Sequence, residues 1–135
     1  MLKQDKSVVP ALTDLVRSGE GGNLFARFHA LWTLEGLGAL EPALVREVMK
    51  DANPRMRIQA VRASETLYKG GDKSFEAEYR GLLRDPDTDV AIQAMLTLNI
   101  LKVPGATTAI RELAEASSVR GVKEIGTQIV TRATT

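Results

Sequence analysis

Asn23-Leu-Phe-Ala-Arg-Phe-His-Ala-Leu-Trp-Thr-Leu34 superposes without gaps on Asn53-Pro-Arg-Met-Arg-Ile-Gln-Ala-Val-Arg-Ala-Ser64 and on Asp87-Thr-Asp-Val-Ala-Ile-Gln-Ala-Met-Leu-Thr-Leu98. The columns agree in chemistry. Asn23, Asn53 and Asp87 stand where a helix N-cap belongs, each with a side-chain oxygen able to accept from a free N–H of the first turn. Ala30, Ala60 and Ala94 share a column whose small side chain lets two helices approach closely, and Phe28, Ile58 and Ile92 share another. Offsets of 30 and 34 residues between the three segments mark an internal repeat, somewhat shorter than the roughly 40 residues of common two-helix units.

Working outward, apolar residues recur at three- and four-residue spacing along most of the chain, and no stretch alternates apolar with polar as a strand does. Turn-forming residues interrupt the pattern at Ser18-Gly19-Glu20-Gly21-Gly22, Gly38 to Pro42, Asp51 to Pro54, Gly70-Gly71-Asp72, Asp85-Pro86-Asp87, Pro104-Gly105 and Ser117-Ser118. Helices are therefore expected near 7–17, 23–38, 42–50, 54–69, 74–84, 88–102, 106–116 and 119–133. They pair as units 7–38, 42–69, 74–102 and 106–133 of a single domain spanning 1–135.

Two of the links carry a family resemblance. Asp51-Ala52-Asn53-Pro54-Arg55-Met56-Arg57 and Asp85-Pro86-Asp87-Thr88-Asp89-Val90 resemble the connection between the helices of a HEAT repeat, whose pattern is Asp-Pro-x-x-x-Val-Arg-x-x-Ala. The resemblance covers residues 23 to 101 most closely. It implies an all-α, armadillo-like fold: a right-handed α-solenoid of about four HEAT-type antiparallel helix pairs. It also implies a ladder between neighbouring repeats, mapping to Arg27, Asp51, Arg57 and Asp85. Two rungs depart, since Ala91 replaces the arginine of the third unit and Gly21 the aspartate of the first. In the fourth unit either Arg120 or Gly121 is expected in the arginine column. Ala26-Arg-Phe-His-Ala-Leu-Trp-Thr-Leu-Glu-Gly-Leu-Gly-Ala-Leu-Glu-Pro-Ala-Leu-Val45 is further similar to the helical segment of large bacterial exported proteins that carry a dehydrogenase-like propeller and a cytochrome c domain. No Cys-x-x-Cys-His haem motif accompanies it here.

Composition narrows the function classes. With 135 residues and no cysteine, the chain can bury one core, and it excludes disulfides, thiolate metal sites and a cysteine nucleophile. Eighteen basic against 17 acidic residues leave a net charge of +1, which lacks the field that drives binding to a phosphate backbone. Arg46, Arg55, Arg57, Arg62 and Lys69 cluster around the second unit, but Glu47, Asp51 and Glu65 interleave them, so nucleic acid is disfavoured as a partner. The start, Met1-Leu2-Lys3-Gln4-Asp5-Lys6, is polar and resembles no signal-peptide core, and no run approaches the roughly 18 apolar residues of a membrane span. A soluble protein is expected, in a compartment the sequence leaves open. Apolar faces on the first helix (Val8, Val9, Leu12, Leu15, Val16) and the last (Val119, Val122, Ile125, Ile129, Val130) point to a segment of a longer array, since solenoid ends need a polar cap.

Catalysis finds no foothold among these residues. His29 is the one histidine, its column holds Gln59 and Gln93, and a hydrogen-bonding groove residue accounts for it better than a base or ligand. Glu35, Glu41, Glu47, Glu65, Glu76 and Glu78 read as solvated or paired helix acids. Neither Gly19-Glu20-Gly21-Gly22 nor Gly36-x-Gly38 sits in the strand–loop–helix context of a phosphate or dinucleotide loop. No catalytic residue, cofactor, metal or small-molecule ligand is assigned. The resemblance instead implies that second helices line the inner surface, where one stripe is more apolar than a solvated face requires: Phe28, Trp32 and Glu35, then Ile58, Arg62 and Glu65, then Ile92, Leu96 and Asn99. The expected function is a scaffold contacting another protein or another domain of a parent chain, the alternatives being a nucleic-acid-binding HEAT-like protein or a plain structural spacer.

Overall fold

The computed structural model describes residues 6–18 and 23–133. Within them the chain is all-α, with eight α-helices: α1 (Val9–Arg17), α2 (Leu24–Gly36), α3 (Pro42–Val48), α4 (Pro54–Lys69), α5 (Glu76–Leu82), α6 (Thr88–Ile100), α7 (Ala106–Ala116) and α8 (Arg120–Ala133). Short 3₁₀ turns, Lys6–Val8 and Lys73–Phe75, lead into α1 and α5. The Gly19-Glu20-Gly21-Gly22 stretch, with the Gly21 ladder position, lies outside the described residues, as do residues 1–5.

The helix starts follow from capping chemistry. Asn23 accepts from the Ala26 N–H at 3.1 Å, Asn53 from the Arg55 N–H at 2.9 Å, and Asp87 from the N–H groups of Asp89 and Val90 at 2.9 and 3.2 Å. Each satisfies first-turn donors that the helix leaves open. Two residues upstream, Asp51 and Asp85 fold the approach in the same way, accepting from the N–H of Asn53 at 2.8 Å and of Asp87 at 2.9 Å. Pro42 and Pro54 open α3 and α4, where a missing N–H costs nothing.

Two helix ends share one solution. After α2, the Gly38 N–H donates to Glu35 O and the Ala39 N–H to Leu34 O; after α6, the Lys102 N–H donates to Asn99 O and the Val103 N–H to Leu98 O. Both are Schellman closures, which require a left-handed residue. Glycine supplies it at Gly38, with φ +67°, and Lys102 adopts it at φ +53°.

The chain forms two compact units, Met1–Leu67 and Tyr68–Thr135, with the division inside α4. In the first, α1 packs on α2 and touches α3; Val16, Ala30, Leu31, Leu34, Val45, Met56 and Val61 are fully buried. In the second, α5 packs on α6, and α7 and α8 pack on each other and on α6. Its core joins Met95, Leu98 and Ile110 to an aromatic cluster in which Phe75 stacks on Tyr79 and Tyr68 lies 6.2 Å from Tyr79. The Tyr68 hydroxyl donates to Glu76 at 2.9 Å, and the Lys73 ammonium stands 4.1 Å above its ring. Burial, then the bond to Glu76 and its charge, push that hydroxyl above the ordinary tyrosine range.

The burial pattern of α8 can be set beside those of α4 and α6. Val122, Gly126 and Ile129 are buried at the spacing of Met56, Ala60 and Ala63 in α4 and of Val90, Ala94 and Thr97 in α6. By burial Gly126 lines up with Ala60 and Ala94, which puts Lys123 level with Arg57 and Ala91, whereas Arg120 or Gly121 was the expectation there. Arg120 is exposed and pairs with Glu124 of its own helix at 2.7 Å, whereas the Lys123 ammonium donates to Ala114 O at 3.2 Å, near the end of the preceding helix. Arg27 does the same in the first unit, donating through Nε to Val16 O at 2.9 Å.

Candidate functional site

In the first unit the expected stripe lies on α2 and α4. Phe28, Trp32 and Glu35 of α2 and Ile58 and Glu65 of α4 are all half-buried, and Arg62 is exposed. The stripe is a seam as well as a surface. The Trp32 indole N–H donates to Gln59 Oε1 at 2.9 Å, and the Thr66 hydroxyl donates to Glu35 Oε1 at 3.0 Å, so α2 and α4 are joined twice across it. Gln59 occupies the column of His29, and His29 itself is exposed.

Phe25, one turn before Phe28, extends this surface and was not part of the expected stripe. It is 70% exposed, the most open of the large apolar residues among those described, and meets Phe28 edge-to-face with centroids 6.1 Å apart. Its i−3 spacing from Phe28 was readable from the sequence; the polar Arg55 and Asp89 in its column obscured it. In the second unit Ile92 is half-buried while Leu96 and Asn99 are exposed. Ile100, one turn beyond Leu96, is 55% exposed. On α6 the apolar line therefore runs Ile92, Leu96, Ile100 at four-residue steps, with Asn99 at its flank.

Below this surface, in the first unit, Arg27 and Asp51 hold α2 against the turn before α4. Arg27 Nη2 donates to Asp51 Oδ1 at 2.5 Å, with 6% and 18% of the two side chains exposed. Arg57 donates to Asp51 O at 2.7 Å. Burial works against the Asp51 charge, but bonds from Arg27 and the Asn53 N–H, with the charges of Arg27 and Arg57, outweigh it and hold the carboxyl below its ordinary range. Asp85 repeats the turn-closing role of Asp51 toward Asp87.

The acids considered for catalysis are engaged or scattered. Glu47 pairs with Arg17 at 2.8 Å at the surface, and Glu76 accepts from Tyr68. Among the described residues no group of three His, Asp or Glu side chains is gathered as a metal site would need, and no helix is long and apolar enough to cross a membrane.

Comparison with known proteins finds no matching family model, no matching curated protein and no matching solved structure.

Proposed function

We propose that the chain is a non-catalytic HEAT-type helical-repeat module, arranged as an α-solenoid, that contacts another protein or another domain of a longer parent chain through its second helices. The observation that carries this reading is the aromatic face of α2. Phe25 stands 70% exposed against Phe28, beside the half-buried Trp32. Aromatic rings left in water at adjoining helix turns are characteristic of contact surfaces. The repeat assignment is supported by the shared Asp-x-Asn and Asp-x-Asp caps and by the Arg27–Asp51 pair.

The test is affinity capture from native lysate with the full chain. Phe25→Ser and Leu96→Ser serve as separate surface variants, each checked by circular dichroism. A partner that rebinds as a purified protein, and does so roughly tenfold or more weakly to Phe25→Ser, is the expected result. A purified partner bound equally by both variants and the native chain would remove the second-helix face from consideration.

A further inference from the structure

Two positions recur around the starts of α4, α6 and α8. Counting from Pro54, Thr88 and Arg120, where these helices begin, the residue three before is Asp51, Asp85 and Ser117, and the residue three after is Arg57, Ala91 and Lys123. The turn residues act alike. Each accepts from the N–H two residues on: Asp51 from Asn53 at 2.8 Å, Asp85 from Asp87 at 2.9 Å and Ser117 from Val119 at 3.0 Å. Ser117 therefore holds the acid's position without its charge, and Ala91 holds the arginine's position without its guanidinium.

In the first unit these positions join successive helix pairs. Arg27, three residues into α2, reaches from the end of α1, where it donates to Val16 O at 2.9 Å, to the turn after α3, where it donates to Asp51 Oδ1 at 2.5 Å. The matching place in the second unit lies between the end of α5 and the turn after α7, and there the structure has a cavity of about 250 Å³. Ala91 and Ser117 both line it, with Leu83 and Leu113 beside them. Both members of the pair are thus replaced together, and the space that the Arg27 side chain fills in the first unit is open here.

We propose that this cavity receives an arginine side chain of a partner protein, seated as Arg27 is seated in the first unit. The aliphatic stem lies on Leu83, Leu113 and Val122, and the guanidinium reaches the Ser117 hydroxyl and the Asp85 carboxylate, all of which line the cavity. Arg84 and Asp85 line it side by side and offset each other in charge, so a bare cation gains little there. Selection comes from the shape of the donor: a guanidinium's planar fork serves several oxygens at once, which an ammonium does not.

The probe is N-acetyl-arginine amide, titrated into the isotope-labelled full chain and followed by amide NMR shifts. Saturable shifts at Ala91, Ser117 and their neighbours are expected, with millimolar affinity. Ser117→Asp supplies the carboxylate that Asp51 supplies in the first unit and should tighten binding roughly tenfold. Its side chain can still accept from the Val119 N–H, as Asp51 does from Asn53, so the turn is kept. Ala91→Arg fills the cavity from within and, once circular dichroism shows it folded, should give no shifts there. N-acetyl-lysine amide and the guanidinium ion alone should each bind several-fold more weakly. Absence of saturable shifts, equal affinity for either of those two probes, unchanged affinity in Ser117→Asp, or binding retained in folded Ala91→Arg would each overturn the proposal. Phe25→Ser should bind the probe as the native chain does; loss there would place the arginine on α2 and overturn the proposal as well, while failure at the cavity alone leaves the α2 reading untouched.

Discussion

The Arg27–Asp51 pair is where one residue's chemistry reaches furthest. Both side chains are largely withdrawn from water, so removing the guanidinium strands a carboxylate instead of returning it to solvent. Arg27→Ala should therefore cost about 2–4 kcal/mol, somewhat below a fully buried pair because Asp51 keeps some exposure. Urea denaturation measures it. The depressed Asp51 ionisation also sets an acid limb. A carboxylate whose folded value lies below the unfolded one of about 3.9 contributes its full stability above that unfolded value and loses it as pH falls through the folded value. The native chain should thus be more stable than Asp51→Asn at pH 7, with the gap closing progressively below about pH 5, as melting temperatures across that range would show. Lys102 offers the opposite case. A lysine at φ +53° carries the steric cost of the left-handed region, which glycine avoids. Lys102→Gly should stabilise the fold by about 0.5–1 kcal/mol, read from the same denaturation curves.

Among the helices, two glycines of identical type predict opposite outcomes because their elements meet different neighbours. A Cβ on Gly126 of α8 would lie 2.9 Å from Ala114 Cβ of α7, with Ile110 and Met95 at 3.5 Å. Alanine's gain in helix propensity, about 1 kcal/mol, is offset by overpacking of about 1–3 kcal/mol. Gly126→Ala should be neutral to destabilising, and Gly126→Val destabilising by about 2–3 kcal/mol. Gly81→Ala, with open space around it, should stabilise α5 by about 0.5–1 kcal/mol. Thermal melts of the three variants check the contrast. Helix positions themselves were legible: the expected segments 54–69 and 106–116 coincide with α4 and α7. The entry to α5 was not, because the Lys73–Phe75 turn is 3₁₀ and its side-chain spacing over three residues does not differ enough from an α-turn to be read.

At the scale of the whole molecule, a net charge of +1 with acids among the arginines of α3 and α4 predicts no saturable binding to duplex DNA even at low salt. Anisotropy with a labelled duplex tests this. A steep inverse dependence of affinity on salt would sink the protein-contact reading and favour a nucleic-acid face. The candidate surface was only partly visible before the structure. Phe28, Trp32 and Leu96 stood out by their column, but Phe25 and Ile100 did not. Their exposure is set by what packs over each helix, and that neighbour is distant in sequence.

By itself the sequence determined the all-α class, the helix boundaries to within a few residues and the recurring caps at Asn23, Asn53 and Asp87, because these depend on chain-local chemistry: periodicity, turn residues and side-chain oxygens within a few residues of the N–H groups they serve. Only the tertiary structure decided that Lys123 donates to Ala114 O, that Trp32 spends its N–H on Gln59, and that a Cβ on Gly126 would press against Ala114. Those facts are distances between residues on different helices, and a sum over local preferences does not contain them.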